Sequence, residues 1–167
     1  MAGKIKLKYK SRKKSIKGYR DSKLAKTEHS DCSVCSVATA FDITYNRAHK
    51  FVKETYKRKN GKGVHVVSKN DKFADNQTIL FGKTINQIGE HSWFSERPND
   101  RSPIVKKGDE VRRMTVGRFV KENPKGTFLI LIDGHIFTIK NSTVLGGNLE
   151  DSKKLKVRVQ KAWEVLS

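Results

Sequence analysis

Apolar residues recur at helical spacing in three segments of the chain. In the first segment they fall at positions i, i+3, i+4 and i+7 and form one face of a helix, made of Val34, Val37, Ala38 and Phe41. A second helix is predicted from Thr44 to a break at Asn60-Gly61. A third begins at Thr115 and is ended by Asn123-Pro124-Lys125-Gly126. Three amphipathic helices are therefore expected, two of them in the first part of the chain.

The period of the pattern changes after the third helix. Thr127 to Ile132 is typical of a strand, Asp133-Gly134 is a hairpin turn signal, and His135 to Lys140 is the returning strand. Alternation from Leu155 to Val165 predicts a last strand, and a short helix is expected around Thr84 to Ile88. Because helices come first and an antiparallel sheet follows, the predicted class is α+β.

The charge of the chain is concentrated at its beginning. The net charge is +19, and residues 1–20 hold nine Lys or Arg, no acid and few apolar side chains. Such a segment cannot bury enough surface to offset its ordering entropy, so we expect a mobile basic tail ahead of one domain over residues 21–167. The charge indicates an acidic partner, which could be nucleic acid, an anionic membrane surface or an acidic protein, although a solvated basic surface would give the same composition. The candidate contact residues are Lys4, Lys6, Lys8, Lys10, Arg12, Lys13, Lys14, Lys17 and Arg20.

Neither a signal peptide nor a membrane span is expected. Ile5 and Leu7 stand singly among lysines, and the longest apolar run, Phe128 to Ile132, is far shorter than the roughly 20 residues that a span requires. Two cysteines are too few for a disulfide framework. We therefore expect a protein of a reducing cytoplasm, with free thiols.

The two cysteines form a C-x-x-C motif that has four interpretations. Cys32-Ser33-Val34-Cys35 has the spacing of a thioredoxin-like redox pair, although the residues before it do not form a buried strand. A zinc site could use His29, Cys32 and Cys35, but the sequence offers no evident fourth ligand. The pair could also be structural and inert. The fourth interpretation is a catalytic thiol.

The position of Cys32 favours the catalytic interpretation. Ser30 or Asp31 can cap the first helix, which places Cys32 in the first turn, where unpaired N–H groups and the helix dipole stabilise a thiolate. At about 100° per residue, Cys32 lies opposite the apolar face, whereas Cys35 flanks that face and is expected to pack in the core. Cys32 is therefore the candidate nucleophile.

A nucleophilic cysteine needs a histidine as its base. The chain offers five: His29, His49, His65, His91 and His135. His49 lies on the second predicted helix, next to Lys50, and is expected to be solvated. His135 opens a strand directly after a tight turn in the most apolar stretch of the chain, where its ring would be held firmly. His135 is the candidate base, although taken alone it is better explained as a strand histidine satisfied by its neighbours.

The order of these motifs resembles the papain-like cysteine peptidase superfamily, most of all its short phage and bacterial members. In those members Asp-Cys starts an Ala-rich helix, and a later helix ends in a turn before strand, Gly-His and strand. Trp163 in the final strand also fits. The matching segments are Asp31-Cys32-Ser33-Val34-Cys35-Ser36-Val37-Ala38, Val116 to Gly126, and Thr127 to Ile139.

The resemblance implies both a fold and a mechanism. N-terminal helices carrying Cys32 would pack on a C-terminal antiparallel sheet carrying His135. Cys32 would attack the carbonyl of a protein or peptide substrate, its backbone N–H would help to hold the oxyanion, and no cofactor or metal would be needed. Asn148 or Asp151 would orient the imidazole. The Gln that the family usually places before the Cys as an oxyanion donor is absent; Glu28 and His29 occupy that region.

Two functions are therefore open. The first is a cysteine peptidase or related amide hydrolase, which the resemblance implies to be phage-encoded and active in the host cytoplasm. The second is a papain-like protein of weak or no activity that binds nucleic acid through its basic surface, or that is carried in a virion. The missing Gln and the net charge of +19 favour the second function, and the ordered cysteine and histidine motifs favour the first.

Overall fold

The architecture is a mixed sheet with helices on both faces. The computed structural model describes residues 6–59, 78–89, 91–92 and 101–167, and only the backbone of residues 78, 79, 91, 92 and 101. The helices are α1 Arg12–Ser15, α2 Lys23–Thr27, α3 Cys32–Phe41, α4 Tyr45–Tyr56, α5 Val116–Glu122 and a 3₁₀ helix, Leu149–Lys153. The strands are β1 Lys8–Lys10, β2 Thr78–Leu80, β3 Lys83–Ile88, β4 His91–Ser92, β5 Arg101–Ser102, β6 Ile104–Lys107, β7 Glu110–Arg113, β8 Thr127–Ile132, β9 His135–Lys140, β10 Thr143–Leu145 and β11 Lys161–Leu166.

Seven of these strands form one sheet in the order β1-β10-β9-β8-β11-β3-β2. All neighbours in it are antiparallel except β1, which pairs with β10 in parallel. Two short ribbons, β4–β5 and β6–β7, lie outside it. The α+β class is confirmed, but the sheet is mixed, whereas a purely antiparallel sheet was predicted.

Alternation along the strands sends side chains to two separate cores. On one face, α3 and α4 pack against Leu129, Ile136 and Trp163. On the other face, α5 packs against residues that include Phe128 and Phe137. Neighbouring residues of β8 and β9 thus serve opposite cores, as the period of two requires. The sheet holds α3 on one side and positions the turn that begins β9.

Threonine caps define the starts of two predicted helices. The side chain of Thr44 accepts a hydrogen bond from the N–H of Arg47 at the start of α4, and Thr115 does the same for Arg118 at the start of α5. The N-cap of α3 is Asp31, whose side chain makes no such bond. The two strands of the predicted hairpin also have the expected bounds.

Two predicted elements were wrong. The segment expected to form a short helix around Thr84 to Ile88 is strand β3, which is paired with β11 through five residue pairs. The last strand begins only at Lys161, and the residues from Leu155 to Gln160 form turns and an isolated bridge. In both places, pairing with distant strands decides the conformation, because the local pattern is too short to do so.

The basic segment at the start of the chain is also structured where the structure describes it. A mobile tail was predicted for residues 1–20, but residues 6–20 pack on the domain, and residues 1–5 lie outside the described residues. Leu7 and Ile16 are buried, and Arg12 forms an ion pair with the buried Asp31 at 3.0 Å. Two buried apolar side chains and one ion pair with a buried carboxylate therefore hold this segment against the domain, which composition alone did not predict.

None of the helices in the described ranges combines the length and the apolar composition that crossing a membrane would demand.

Candidate active site

Cys32 lies at the start of α3 and is the one residue of that helix that is not fully buried. Its thiol faces the side chain of His135 closely enough that each group shifts the pKa of the other. The spatial relation predicted from the sequence, a sulfur at the head of the helix facing an imidazole on the sheet, is present.

Polar side chains fix α3 against β9. The Ser36 hydroxyl donates to the carbonyl of Ile136 at 3.0 Å, and the Thr138 hydroxyl donates to the carbonyl of Ser36 at 2.9 Å. The hydroxyls of Thr39 and Thr138 are also hydrogen-bonded, at 2.9 Å. These groups are buried, so their bonds are protected from water and hold the helix in one register along the strand. Cys32 therefore faces the first residues of β9.

His135 follows the tight turn between β8 and β9. Gly134 has a φ of 66°, in the left-handed region that such turns require. The Nε2 atom of His135 lies 3.0 Å from Oδ2 of Asp151, and its ring stacks on Phe137 with centroids 5.7 Å apart. Because Nε2 is engaged by the carboxylate, Nδ1 is the nitrogen left to serve Cys32.

Asp151 is fully buried beside the histidine and belongs to the 3₁₀ helix. Its Oδ2 also accepts the backbone N–H of Asn148 at 2.9 Å, and its Oδ1 lies 3.3 Å from the ammonium of Lys154. The side chain of Asn148 accepts the N–H of Asp151, which completes a capping box. The carboxylate is thus held by the helix start as well as by the imidazole.

Of the two candidates for the third group, Asp151 contacts His135, whereas Asn148 lies exposed and bonds to Asp151. The sequence could not separate them because they are three residues apart. Asn148 therefore supports the carboxylate by capping and does not touch the imidazole.

The charges in this group stabilise one another. Burial alone raises the pKa of the Cys32 thiol, but the hydrogen bond with His135, the N–H of Ile136, the charge of His135 and the N–H of Ser33 together lower it below its ordinary value. The bond to Asp151, followed by the bond to Cys32, raises the pKa of His135 from 6.5 to about 9. Burial raises the pKa of Asp151, but its bonds to His135 and Asn148 lower it below its ordinary value.

This arrangement stabilises the thiolate of Cys32 and the imidazolium of His135 relative to their neutral forms, with a carboxylate behind the ring. The N–H groups of Ser33 and Ile136 near the sulfur were not predicted. The place of Ser33 in the first turn of the helix could have indicated that its N–H lies near the sulfur. The contribution of the Ile136 N–H depends on the packing of α3 against β9, which the sequence does not show. The predicted oxyanion donor, the N–H of Cys32, lies in the first turn of α3, where no i−4 carbonyl is available to it.

Cys35 has a different environment. It is fully buried, and its thiol donates to Oδ2 of Asp31 at 3.6 Å. Burial raises the pKa of Cys35 far above its ordinary value, with the charge of Arg12 opposing that effect only in part. Both cysteines are free thiols, and no cluster of three His, Cys, Asp or Glu suited to a metal occurs among the described residues. Cys35 is a core thiol, as its position beside the apolar face predicted.

The region that holds a Gln in the papain-like family has a structural role here. The Glu28 side chain is buried and lies 2.6 Å from Nη2 of Arg58 and 3.0 Å from Nε2 of His49. His49 was predicted to be solvated, and that was wrong: it is buried against Glu28, which the helical pattern around Lys50 does not reveal. His29 is exposed. Glu28 joins α4 to the approach of α3, and this pairing leaves it unsuited to an oxyanion.

The predicted nucleic-acid residues divide into three groups. Lys4 lies outside the described residues. Arg12 and Lys17 are paired with Asp31 and Asp42, each at 3.0 Å. The other predicted residues are exposed, namely Lys6, Lys8, Lys10, Lys13, Lys14 and Arg20.

The comparisons with known proteins add no relative. No family model matches the chain, and neither the curated proteins nor the solved structures contain a significant match. The papain-like fold therefore stays a prediction. The α+β class and the distances at the site come from the structure of this chain and do not depend on a relative.

A glycine lets the segment after β10 approach the site closely. A Cβ atom at Gly147 would overlap Oδ2 of Asp151. We expect Gly147→Ala to displace the carboxylate and to lower the rate of Cys32 alkylation at pH 6 by about tenfold, because each unit lost from the thiol pKa shift is tenfold in thiolate. The measurement is timed iodoacetamide labelling followed by peptide mass analysis.

Gly108→Ala is the matched control for this substitution. Gly108 lies in the turn between β6 and β7 with a φ of 59°, and no atom lies within 4 Å of an added Cβ, so alanine there costs about 1–2 kcal/mol of strain without touching the carboxylate. Equal labelling rates in Gly147→Ala and the control would show that the position of Asp151 does not govern Cys32.

Proposed function

We propose that this protein is a cysteine peptidase or related amide hydrolase with a papain-like arrangement of Cys32, His135 and Asp151. The observation that carries the proposal is His135, whose Nε2 lies 3.0 Å from a buried carboxylate while its ring and the Cys32 thiol shift the pKa of each other. A nucleophile, a base and a group that orients the base are the components of covalent acyl transfer. Burial of the carboxylate makes this interaction stronger than it would be in water.

The first half of the proposed reaction forms an acyl-enzyme. The Cys32 thiolate attacks the carbonyl carbon, a C–S bond forms, and the carbonyl π electrons move to the oxygen, which the N–H of Cys32 stabilises. When the tetrahedral species collapses, the C–N bond breaks and the imidazolium of His135 gives its proton to the leaving amine. Asp151 keeps the imidazole ring in position while the ring gains and loses its positive charge.

The second half hydrolyses the thioester. Neutral His135 takes a proton from water, the resulting hydroxide equivalent attacks the thioester carbon, and the C–S bond breaks. The products are a carboxylic acid and the Cys32 thiolate facing a protonated His135. One amide and one water are consumed, and no metal or redox cofactor enters the balance.

The test of this proposal is a search for an acyl-enzyme that turns over. The full chain would be mixed with a panel of peptide p-nitrophenyl esters and p-nitroanilides, quenched in acid and analysed by mass spectrometry. We expect an acyl group on Cys32, none on Cys35, and loss of the adduct with time as product accumulates. A Cys32 adduct that never turns over, or acylation confined to lysines, would contradict hydrolysis.

A further inference from the structure

Exposed cations are concentrated in the segment that precedes α3, the helix that carries Cys32. Residues 6–26 hold ten Lys or Arg and one acid, Asp21, in a chain whose net charge is +19. We call their exposed cations the basic face: Lys6, Lys8, Lys10, Lys13, Lys14, Lys17, Arg20, Lys23 and Lys26. The lysines of β1 alone would be explained as protection of an edge strand against aggregation. The cations beyond β1 lie on no strand edge and need another explanation.

The basic face is held in place. Strand β1 pairs with β10, Ile16 is buried, and the N–H of Tyr45 donates to the carbonyl of Lys17 at 2.9 Å. Arg12 points inward to Asp31, the residue that precedes the nucleophile. These contacts fix the backbone that carries the cations, so binding an anion there does not have to order a mobile segment.

Three of these cations converge on a pocket between α1 and α2. The pocket has a volume of about 670 Å³ and is lined by Lys13, Tyr19, Arg20, Ala25 and Lys26. No carboxylate lines it, and in the part of the chain that the structure describes no ion pair neutralises its three cations. Like charges gathered on a concave surface repel one another, and an anion relieves that repulsion.

We infer that the basic face binds the phosphate backbone of nucleic acid, with the pocket of Lys13, Arg20 and Lys26 as its centre. Nine exposed cations spread from Lys6 to Lys26, of which Lys17 is paired with Asp42, match a polymer that carries a negative charge on every residue. An anionic membrane would favour exposed large apolar side chains among the cations, and Leu24 is the one described in this segment. This binding is separate from hydrolysis and does not depend on it.

The test compares two triple variants of equal charge. In the first, Lys13, Arg20 and Lys26 become Gln; in the control, the exposed Lys107, Lys121 and Lys125, which lie outside the basic face, become Gln. Binding of a 20-base-pair duplex and of a single strand is measured by fluorescence anisotropy from 50 to 200 mM salt. Each phosphate contact contributes about 0.9 to the salt slope for duplex DNA, so the pocket variant should lose about 2.7 from the slope.

The control variant should keep both its slope and its affinity close to those of the parent chain. Both variants should keep the parent rate of Cys32 alkylation, which shows that they are folded. Absence of binding at 50 mM salt, or equal loss in the two variants, would overturn the inference. Tighter binding to vesicles with phosphatidylserine, or to a poly-glutamate peptide, than to either nucleic acid would also overturn it.

Discussion

Replacing His135 with alanine is expected to lower hydrolysis by about 10⁴-fold or more, because one side chain supplies both the acid and the base of the proposed reaction. The same variant should alkylate more slowly at Cys32 near pH 6. Without the hydrogen bond and charge of His135, burial dominates and the pKa of the thiol rises. The measurements are peptide hydrolysis and the iodoacetamide labelling rate.

His29→Ala is the control for this substitution. His29 is exposed, close in sequence to Cys32, and interacts with Arg58 through its backbone carbonyl, which the substitution leaves in place. Hydrolysis and labelling should match those of the parent chain. If His135→Ala remained folded and were labelled at the parent rate, the imidazole would have no effect on the reactivity of the Cys32 thiol. That result would contradict a catalytic pair.

Replacing Asp151 with asparagine is expected to lower kcat at neutral pH by about tenfold, the effect of one unit in the pKa of His135. The amide oxygen can still accept the Nε2–H and orient the ring, but it lacks the negative charge that stabilises the imidazolium. The pKa of His135 should also fall from its value of about 9, because its bond to Asp151 is the largest cause of that value. The pH at which the imidazolium is lost would therefore move downward.

Glu150→Gln is the matched control, since Glu150 is the preceding residue and is exposed beside Lys153. Its kcat and pH profile should be unchanged. A loss of stability in Asp151→Asn with an unmoved upper limb of the pH profile would indicate that Asp151 only caps the 3₁₀ helix. Measuring thermal unfolding beside the profile separates the two roles.

The parts of the fold that the sequence predicted are those set by local periodicity. The apolar face of α3, the threonine caps of α4 and α5, and the Asp133-Gly134 hairpin all depend on residues within one or two turns of each other. Strand β3 was missed because Ile85 and Ile88 are three residues apart, a helical spacing. Its pairing with β11 depends on residues about eighty positions away.

The sequence predicted the two site residues that lie in distinct motifs. For the third residue it left two candidates. Cys32 and His135 stood out by position, but the choice between Asn148 and Asp151 depended on which side chain the 3₁₀ helix turns inward. The burial of His49 and the anchoring of Arg12 both depend on acids distant in sequence, Glu28 and Asp31. Ion pairs of this kind leave no periodic signal in the sequence.

The pH dependence of Cys32 alkylation in the unsubstituted chain tests the thiolate–imidazolium pair most directly. The label is followed on the peptide that contains both cysteines, with fragmentation to separate Cys32 from Cys35. Because the pKa of Cys32 is lowered and that of His135 is raised to about 9, we predict rapid labelling well below pH 9 and a second change in rate near pH 9, when the pair loses its remaining proton. A single rise centred at pH 9 or above, as for an ordinary buried thiol, would contradict the account.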